Sequence, residues 1–345
     1  MSIQAKFEKK VFEFKRPAGT SRGILNDKKA WFISVWDDSN PSIVGVGECS
    51  IIPNLSSDYI DDFFYEMKIK EVVDNVQYFI DNPIELETFP SIYFGLEMAL
   101  LDLENGGKSL FFDTDFSKGK MGIPINGLIW MGAPDFMFEQ IQQKLEEGYS
   151  CIKMKIGAID FNEEIKLLEG IRSQFSSDKI TLRVDANGAF TPADAPEKLK
   201  KLAELSIHSI EQPIKSGQVR EMAKLCEMNI LPIALDEELI GIYDPLVKGR
   251  LLDDIKPQYI ILKPSLIGGF KGAKEWIELA EKRNIPWWIT SALESNVGLN
   301  AIAQFTSTFQ IEREQGLGTG MLYVNNVPSP MFIEKGYLKI QKDAF

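Results

Sequence analysis

Long apolar runs are absent from this chain of 345 residues. No stretch approaches the roughly eighteen apolar residues of a membrane-spanning helix, so a protein of that kind is not expected. Met1 to Phe14 alternates charged and apolar residues and has no apolar run ahead of a small-residue cleavage site, which points to a cytoplasmic protein. Basic residues are outnumbered: 38 Lys and Arg against 50 Asp and Glu leave a formal charge of -12, the wrong sign for a phosphate backbone, and nucleic acid is excluded as a partner. Cys49, Cys151 and Cys226 are odd in number, far apart and without zinc-ligand spacing, so they read as reduced, buried thiols and not as a disulfide framework or a nucleophile. His208 is the only histidine; with no partner at a suitable spacing it reads as a packing or surface residue.

Hydrophobic residues at 44% and charged residues at 26% leave no compositional case for disorder. The length fits one large barrel with a smaller domain attached. Lys6 to Phe14, Ala30 to Trp36 and Ser42 to Glu48 read as strands, the last two joined at the Asp37-to-Pro41 turn, with Pro17 to Gly23 a polar, glycine-bearing loop. Helical patterns follow at Ser57 to Ile80 and Ser91 to Glu104, then a flexible polar connection from Asp113 to Lys120. From Gly122 strand and helix alternate. Asp160 and Glu163 have capping-box spacing, and Thr191-Pro192 offers an N-cap with proline at the first helical position. Strand ends fall near Asn126, Lys155, Asp185, Glu211, Asp236, Lys263, Ser291 and Gly318, eight in all, which is the barrel count. The expected architecture is α/β: a modified TIM barrel, (β/α)8-type, over residues 121–320, under an α+β cap built from residues 1–120 with the tail, 321–345, returning to it.

Five strand ends carry groups that handle a proton or a metal ion. Lys155, Asp185, Glu211, Asp236 and Lys263 recur every 25 to 30 residues, about one strand, one helix and two loops. In a barrel of parallel strands such ends gather on one face, where these folds build their sites. Asp185, Glu211 and Asp236 supply hard anionic oxygens from three successive strands, a donor set for Mg²⁺ with Mn²⁺ as a substitute. Any one acid at a strand end reads as a helix cap or a solvated side chain; three in register between lysines read as a metal site. Lys153 and Lys155 are two apart on a strand, and their alternation with Ile152, Met154 and Ile156 turns the apolar set toward the helices and the lysines inward. Crowded ammonium groups near a dication disfavour protonation, so at least one amine is expected well below the ordinary pKa of about 10.4, as a base near neutrality. Lys263, two strands beyond Glu211, is expected across the barrel. Such a site neutralises the charge that develops when the carbon beside a carboxylate loses its proton.

These motifs resemble a known family. The Lys153-Met154-Lys155 strand, Asp185-Ala186-Asn187, Glu211-Gln212-Pro213, Asp236-Glu237, the Lys263 strand and the helix holding Leu96 to Asp102 are similar to the enolase superfamily and its muconate-lactonizing subgroup, over nearly the whole chain. The resemblance implies a small-molecule carboxylate substrate, Mg²⁺, Lys155 as the proton-abstracting base, Lys153 in support, and Lys263 stabilising the enediolate as a cation against a ring face. Thr20 to Gly23, Ser291 to Ser295 followed by Val297-Gly298-Leu299, and Gly316 to Gly320 resemble a dehydratase branch that aromatises a hydroxycyclohexadiene carboxylate. Racemases and epimerases of the superfamily share parts of these motifs, and for them Lys155 and Lys263 would act as bases on opposite faces.

The same motifs make Arg22, Ser291, Gly318 and Thr319 the expected substrate contacts, Arg22 through a bidentate grip on a carboxylate. Asn187 and Glu237, beside metal-ligand positions, are expected to orient them. Ser291 stands where other branches carry a histidine base, and Gln212 is expected to point opposite to Glu211. Trp287 and Trp288 read as packing residues. From another class, the chain reads as a catalytically silent binding barrel; two lysines with three acids argue against it, because binding alone needs no proton-transfer groups. Nothing in the pattern specifies an oligomeric state.

Overall fold

A computed structural model of the chain describes residues 2–345 except Ser21, Arg22, Met131 and Asp343, with the backbone alone of Thr20. Strands β1 (Ile3–Thr20), β2 (Gly23–Asp37) and β3 (Asn40–Ser50) form an antiparallel sheet in chain order. Both faces of β2 are covered. Trp31, Ile33 and Val35 pack on helices α1 (Asp62–Asp74), α2 (Val76–Asp81) and α3 (Pro90–Glu104), while Ala30 and Phe32 meet Phe12, Phe14 and Tyr323 on the other side. The sheet and α3 approach closely because β3 carries glycines there: a Cβ on Gly47 would stand 1.8 Å from the Gly95 carbonyl oxygen.

Three expectations for this region change. Within the expected loop from Pro17 to Gly23, Ala18 to Thr20 pair with Gly23 to Leu25 beyond a register shift after Glu13, so these described residues are strand. The first helical pattern is two helices, starting where Asp61 accepts from the Phe64 N–H at 2.9 Å and broken at Asn75, whose side-chain amide donates to the Glu71 carbonyl. The connection from Asp113 to Lys120 is packed, not flexible: Phe116 is fully buried, Thr114 meets Ser307 at 2.7 Å, and the N–H groups of Phe111 and Phe112 just before it donate to Gln304.

After β4 (Ile123–Pro124) the chain alternates β5 (Gly127–Ile129), α4 (Pro134–Glu146), β6 (Cys151–Lys155), α5 (Phe161–Gln174), β7 (Thr181–Asp185), α6 (Ala195–Glu204), β8 (Ser209–Glu211), α7 (Val219–Met228), β9 (Ile233–Leu235), α8 (Pro245–Ile255), β10 (Tyr259–Leu262), α9 (Gly269–Glu281), β11 (Trp287–Ile289) and α10 (Asn296–Thr306). Strands β5 to β11 make one parallel sheet in sequence order. The expected eighth strand is not formed. Its place is held by Gln315 and Gly316, which bridge both edges: the Asn126 N–H donates to Gln315 at 3.0 Å, and Gly316 donates to Ile289 and accepts from Ser291. Only glycine fits at 316, where a Cβ would lie 2.2 Å from Thr290 Oγ1. The ring is a modified (β/α) barrel with seven strands and a bridged eighth position.

Two expected helix starts also shift. Asp160 caps α5 by accepting from the Asn162 N–H, but Glu163 pairs with Lys166 and not back with the cap, so the box is half formed. Helix α6 begins after Asp194, because Thr191 and Asp194 hydrogen-bond each other in a turn ahead of it. The tail divides. Leu322 and Val324 lie along β1, whereas the hairpin of β12 (Met331–Glu334) and β13 (Tyr337–Ile340) pairs with β4, on the barrel side. Cys49, Cys151 and Cys226 are buried and free, and among the described residues no helix is long and apolar enough to cross a membrane.

The N-terminal module docks by capping barrel helices with its own carboxylates. Glu48 of β3 accepts from the Ser295 and Gly298 N–H groups at 2.8 and 2.9 Å, at the start of α10. Glu97 of α3 accepts from the Phe270 and Lys271 N–H groups at 2.6 and 3.2 Å, at the start of α9. Each fills orphan donors of a helix N-terminus. Burial nevertheless raises Glu97 from 4.5 to about 7, against those backbone donors. The folded state therefore holds the Glu97 proton more tightly than the unfolded chain, and the associated stability is full below pH 4.5 and lost as pH rises through 7. Glu97→Gln is expected to gain on the native protein by on the order of 3 kcal/mol as pH rises from 4 to 8. Denaturant melts of both proteins across that range measure it; a pH-independent difference between them would contradict this reading.

Candidate active site

Alternation along β6 decides where its lysines go. Ile152 and Met154 are fully buried in the main core with the outer helices, which leaves Lys153 and Lys155 on the interior face. Parallel register then levels the strand ends: Lys155 pairs with Asp185, and Asp185 with Glu211. Glu211 pairs in turn with Ala234, so Asp236, two residues on, projects to the same side.

The charged groups interlock. Lys155 Nζ donates to Asp185 Oδ2 and Asn187 Oδ1, both at 2.9 Å. Lys153 Nζ is 3.0 Å from Asp185 Oδ2 and ion-paired with Glu211. Lys263 is ion-paired with Asp236 and stands 3.7 Å from Glu211 Oε1. Asp185, Glu211 and Asp236 are at most 2% exposed. Burial alone would raise Asp185, but the three lysines outweigh it and hold the carboxyl well below the usual range. Burial, reinforced by Glu237, Glu211 and Asp185, pushes Asp236 up in spite of Lys263. Burial works to lower Lys153 and Lys263, yet the facing carboxylates hold both above the ordinary lysine value. An amine well below its ordinary pKa is thus not found at either of these two positions, since each ammonium meets more than one carboxylate.

With lysines between them the three carboxylates do not converge on one point, and among the described residues no group of three His, Cys, Asp or Glu side chains stands at metal-holding distances. The donor chemistry still fits a hard dication: three buried carboxylates from adjacent strand ends, with both Glu211 oxygens accepting no hydrogen bond and met only by ammonium charge.

A second layer fixes these groups. Asn187, at a left-handed φ of 43°, donates from its backbone to Asp185 Oδ1 and from its side chain to Glu237 Oε1, 3.0 Å in each case, while its oxygen holds Lys155. Gln212 turns away from the interior side, also at positive φ, and its buried amide donates to the Ile214 carbonyl and Glu238 and accepts from the Asp236 and Glu238 N–H groups. It braces the turn that presents Asp236. The strand alternation marks Gln212 as facing away but does not reveal this brace, which depends on the turns after β8 and β9.

A cavity of about 260 Å³ lies over the lysines, with Lys153, Lys155 and Lys263 on its wall. Gly23 to Leu25 and Ile52 to Leu55 of the N-terminal module line it, as do Ser291 to Leu293 and Gly318 and Thr319. The Ser291 and Thr319 hydroxyls meet at 2.6 Å. Arg22, expected as a substrate contact, lies outside the described residues. Asn126 also lines the cavity, with a buried Oδ1 that no described residue satisfies; its place just ahead of β5, two residues before Leu128, was the available signal. His208 is away from the cavity, stacked on Tyr259 at 5.2 Å, and burial lowers it to about 4. Trp288 packs inside the barrel with Arg183 over its ring, and Trp287 packs on Phe309.

Comparison with known proteins adds four findings. Residues 137–344 match a family model described as "Enolase C-terminal domain-like". The chain is 49% identical to an o-succinylbenzoate synthase of Desulfotalea psychrophila, over 95% of this chain and 96% of the relative. Among solved structures, the crystal structure of MenC from Desulfotalea psychrophila superposes with a TM-score of 0.83 at 44% identity, covering 99% of this chain and 100% of the other. A dipeptide epimerase of Enterococcus faecalis, complexed with Mg and a dipeptide, shares the fold at 18% identity with a TM-score of 0.81 over 99% and 98% of the two chains.

The brace around Asp236 is testable without substrate. Gln212→Leu is expected to cost roughly 3 kcal/mol or more, because it leaves buried donors and acceptors unpaired. Equilibrium unfolding in urea measures this, and a loss below about 1 kcal/mol would show that the Gln212 network carries little.

Proposed function

The chain belongs to the enolase superfamily, and from that premise we propose that it is an o-succinylbenzoate synthase, a carbon–oxygen lyase of menaquinone biosynthesis. The reaction is the syn dehydration of 2-succinyl-6-hydroxy-2,4-cyclohexadiene-1-carboxylate. The geometry that supports the chemistry is a pair of amines, Lys155 at the end of β6 and Lys263 just beyond β10, on one cavity above three buried carboxylates. Four strand positions separate β6 from β10, half of an eight-position ring, so the two lysines come from opposite walls. The choice of substrate rests on the relative that is 49% identical over nearly the whole chain.

Asp185, Glu211 and Asp236 would hold a divalent cation, Mg²⁺ by donor hardness and Mn²⁺ as a substitute. When bound, it supplies positive charge beside the substrate carboxylate while the α-carbon gives up its proton. Lys155 takes that proton as a neutral amine, held on its line by Asn187 and Asp185. The carbon–oxygen bond at C6 then breaks, Lys155 returns the proton to the departing hydroxyl as water, and the ring becomes aromatic. One lysine serves both steps because hydrogen and hydroxyl leave from one face. Lys263 keeps its proton and faces the developing negative charge, while Lys153 balances Asp185 and Glu211. The module of residues 1–120, with Leu322 to Val324 along β1, sets substrate choice, and residues 121–320 carry the chemistry. Asn126, Ser291, Gly318 and Thr319 meet the substrate, and Arg22 is a further contact expected from the sequence.

Lysines from opposite walls also suit proton exchange between two faces of an α-carbon, the chemistry of racemases and epimerases. Exchange of the α-hydrogen of N-succinylamino acids or dipeptides in D₂O, followed by NMR, reads that activity separately.

An ultraviolet assay with the cyclohexadiene acid and Mg²⁺ tests the main proposal. The expected result is formation of the aromatic product, abolished by chelation and restored by Mg²⁺, with Lys155→Ala lowering kcat by about 10³-fold or more. Absence of product from folded, Mg²⁺-loaded protein would overturn the assignment.

A further inference from the structure

Lys28 lies in the middle of β2, on the N-terminal module, and is 5% exposed. A lone buried ammonium is costly, so its surroundings have to be built for it. Its Nζ donates to Ser50 Oγ at the end of β3 and to the Ala292 carbonyl, 2.6 Å away, in the turn after β11. Glu294 and Glu48 are the carboxylates facing it; they oppose the burial that lowers the Lys28 pKa to about 8.

Those two carboxylates are already engaged with the same turn. Glu294 accepts from the Ala292 N–H at 2.7 Å and from the Ser265 hydroxyl, just beyond Lys263. Glu48 holds the Ser295 N–H and hydroxyl. Tyr323 donates to the Leu293 carbonyl at 2.6 Å, and Leu293 itself sits at φ 62°, a conformation that non-glycine residues seldom adopt and that the surrounding contacts must enforce. The turn from Ser291 to Ser295 is therefore clamped from several sides, and Lys28 is the cation at the centre of the clamp.

Each segment that Lys28 joins continues into the cavity wall: β2 begins with Gly23, Ile24 and Leu25, the chain after Ser50 runs into Ile52 to Leu55, and the turn supplies Ser291, Ala292 and Leu293. Lys28 itself is not on that wall. We propose that Lys28 is a positioning residue that fixes three stretches of substrate-binding wall against one another, so that the shape of the pocket depends on docking of the module to the barrel. The group that moves the proton, Lys155 at the end of β6, lies outside this network. Loss of Lys28 consequently weakens substrate binding and leaves the chemical step nearly intact.

The test uses full-length Lys28→Met, which keeps the apolar stem, and Ser50→Ala, which removes one acceptor with little change in packing. In hydrogen-exchange mass spectrometry, peptides spanning residues 290–296 are expected to exchange about tenfold faster in Lys28→Met, the equivalent of one charged hydrogen bond, while peptides covering β6 to β8 keep wild-type rates. In kinetics, which rest on the proposed function, KM is expected to rise about tenfold with kcat within about threefold, and Ser50→Ala to move both readouts the same way by less. Unchanged exchange at 290–296 in the folded variants, or a loss confined to kcat, would overturn the role of Lys28. If Lys28→Met does not fold, Ser50→Ala alone decides by the same criteria. A wild-type protein inactive on the cyclohexadiene acid refutes the proposed function and leaves the exchange measurement to decide Lys28.

Discussion

Three carboxylates buried at one end of a parallel barrel repel one another, by about 4 kcal/mol for a pair 4 Å apart at an effective dielectric of 20. They are tolerated here because cations interleave with them: Lys153 between Asp185 and Glu211, Lys155 on Asp185, Lys263 on Asp236. Everything around the site serves that balance. The register of β6, β7 and β8 levels the groups, Asn187 and Gln212 adopt left-handed backbone to brace them, and the apolar residues of β6 face outward so that the lysines face inward. The same arrangement has chemical use, since a dication entering among the carboxylates would displace ammonium charge and favour a neutral amine next to a substrate proton.

A second set of buried charges joins the module to the barrel. Glu48 and Glu97 cap α10 and α9, and Lys28 reaches across to the turn after β11. Such contacts are geometrically demanding, because a carboxylate or ammonium deprived of its partner inside the protein is far costlier than a lost apolar contact. Docking is therefore specific in register, and the cavity formed at the junction has a fixed wall.

The chemistry was readable from the sequence because strands have a period of two and barrel units a period of about 27 residues. Lys153-Met154-Lys155 announces its facing through its apolar neighbours, and Asp185, Glu211 and Asp236 announce their level through their spacing. What was not readable depends on long-range contacts. Asp194, not Thr191, starts α6 because the two residues bond each other, and the eighth strand is reduced to bridges because Gly316 must pass close to Thr290. The tail hairpin pairs with β4 rather than with the N-terminal sheet, a choice that local propensity cannot express. Glu48 looked like an ordinary strand end and Lys28 fell outside the expected strands; only the fold shows that Glu48 holds Ser295, 247 positions away in sequence.

Asp185, Glu211 and Asp236 together are proposed as the cation site. Anomalous diffraction from crystals grown with Mn²⁺ tests it most directly. One strong peak is expected among these three carboxylates, with the lysine contacts rearranged around it, and it is expected to be lost in Glu211→Gln. A peak elsewhere, or none in crystals of protein whose activity requires Mn²⁺, would contradict it.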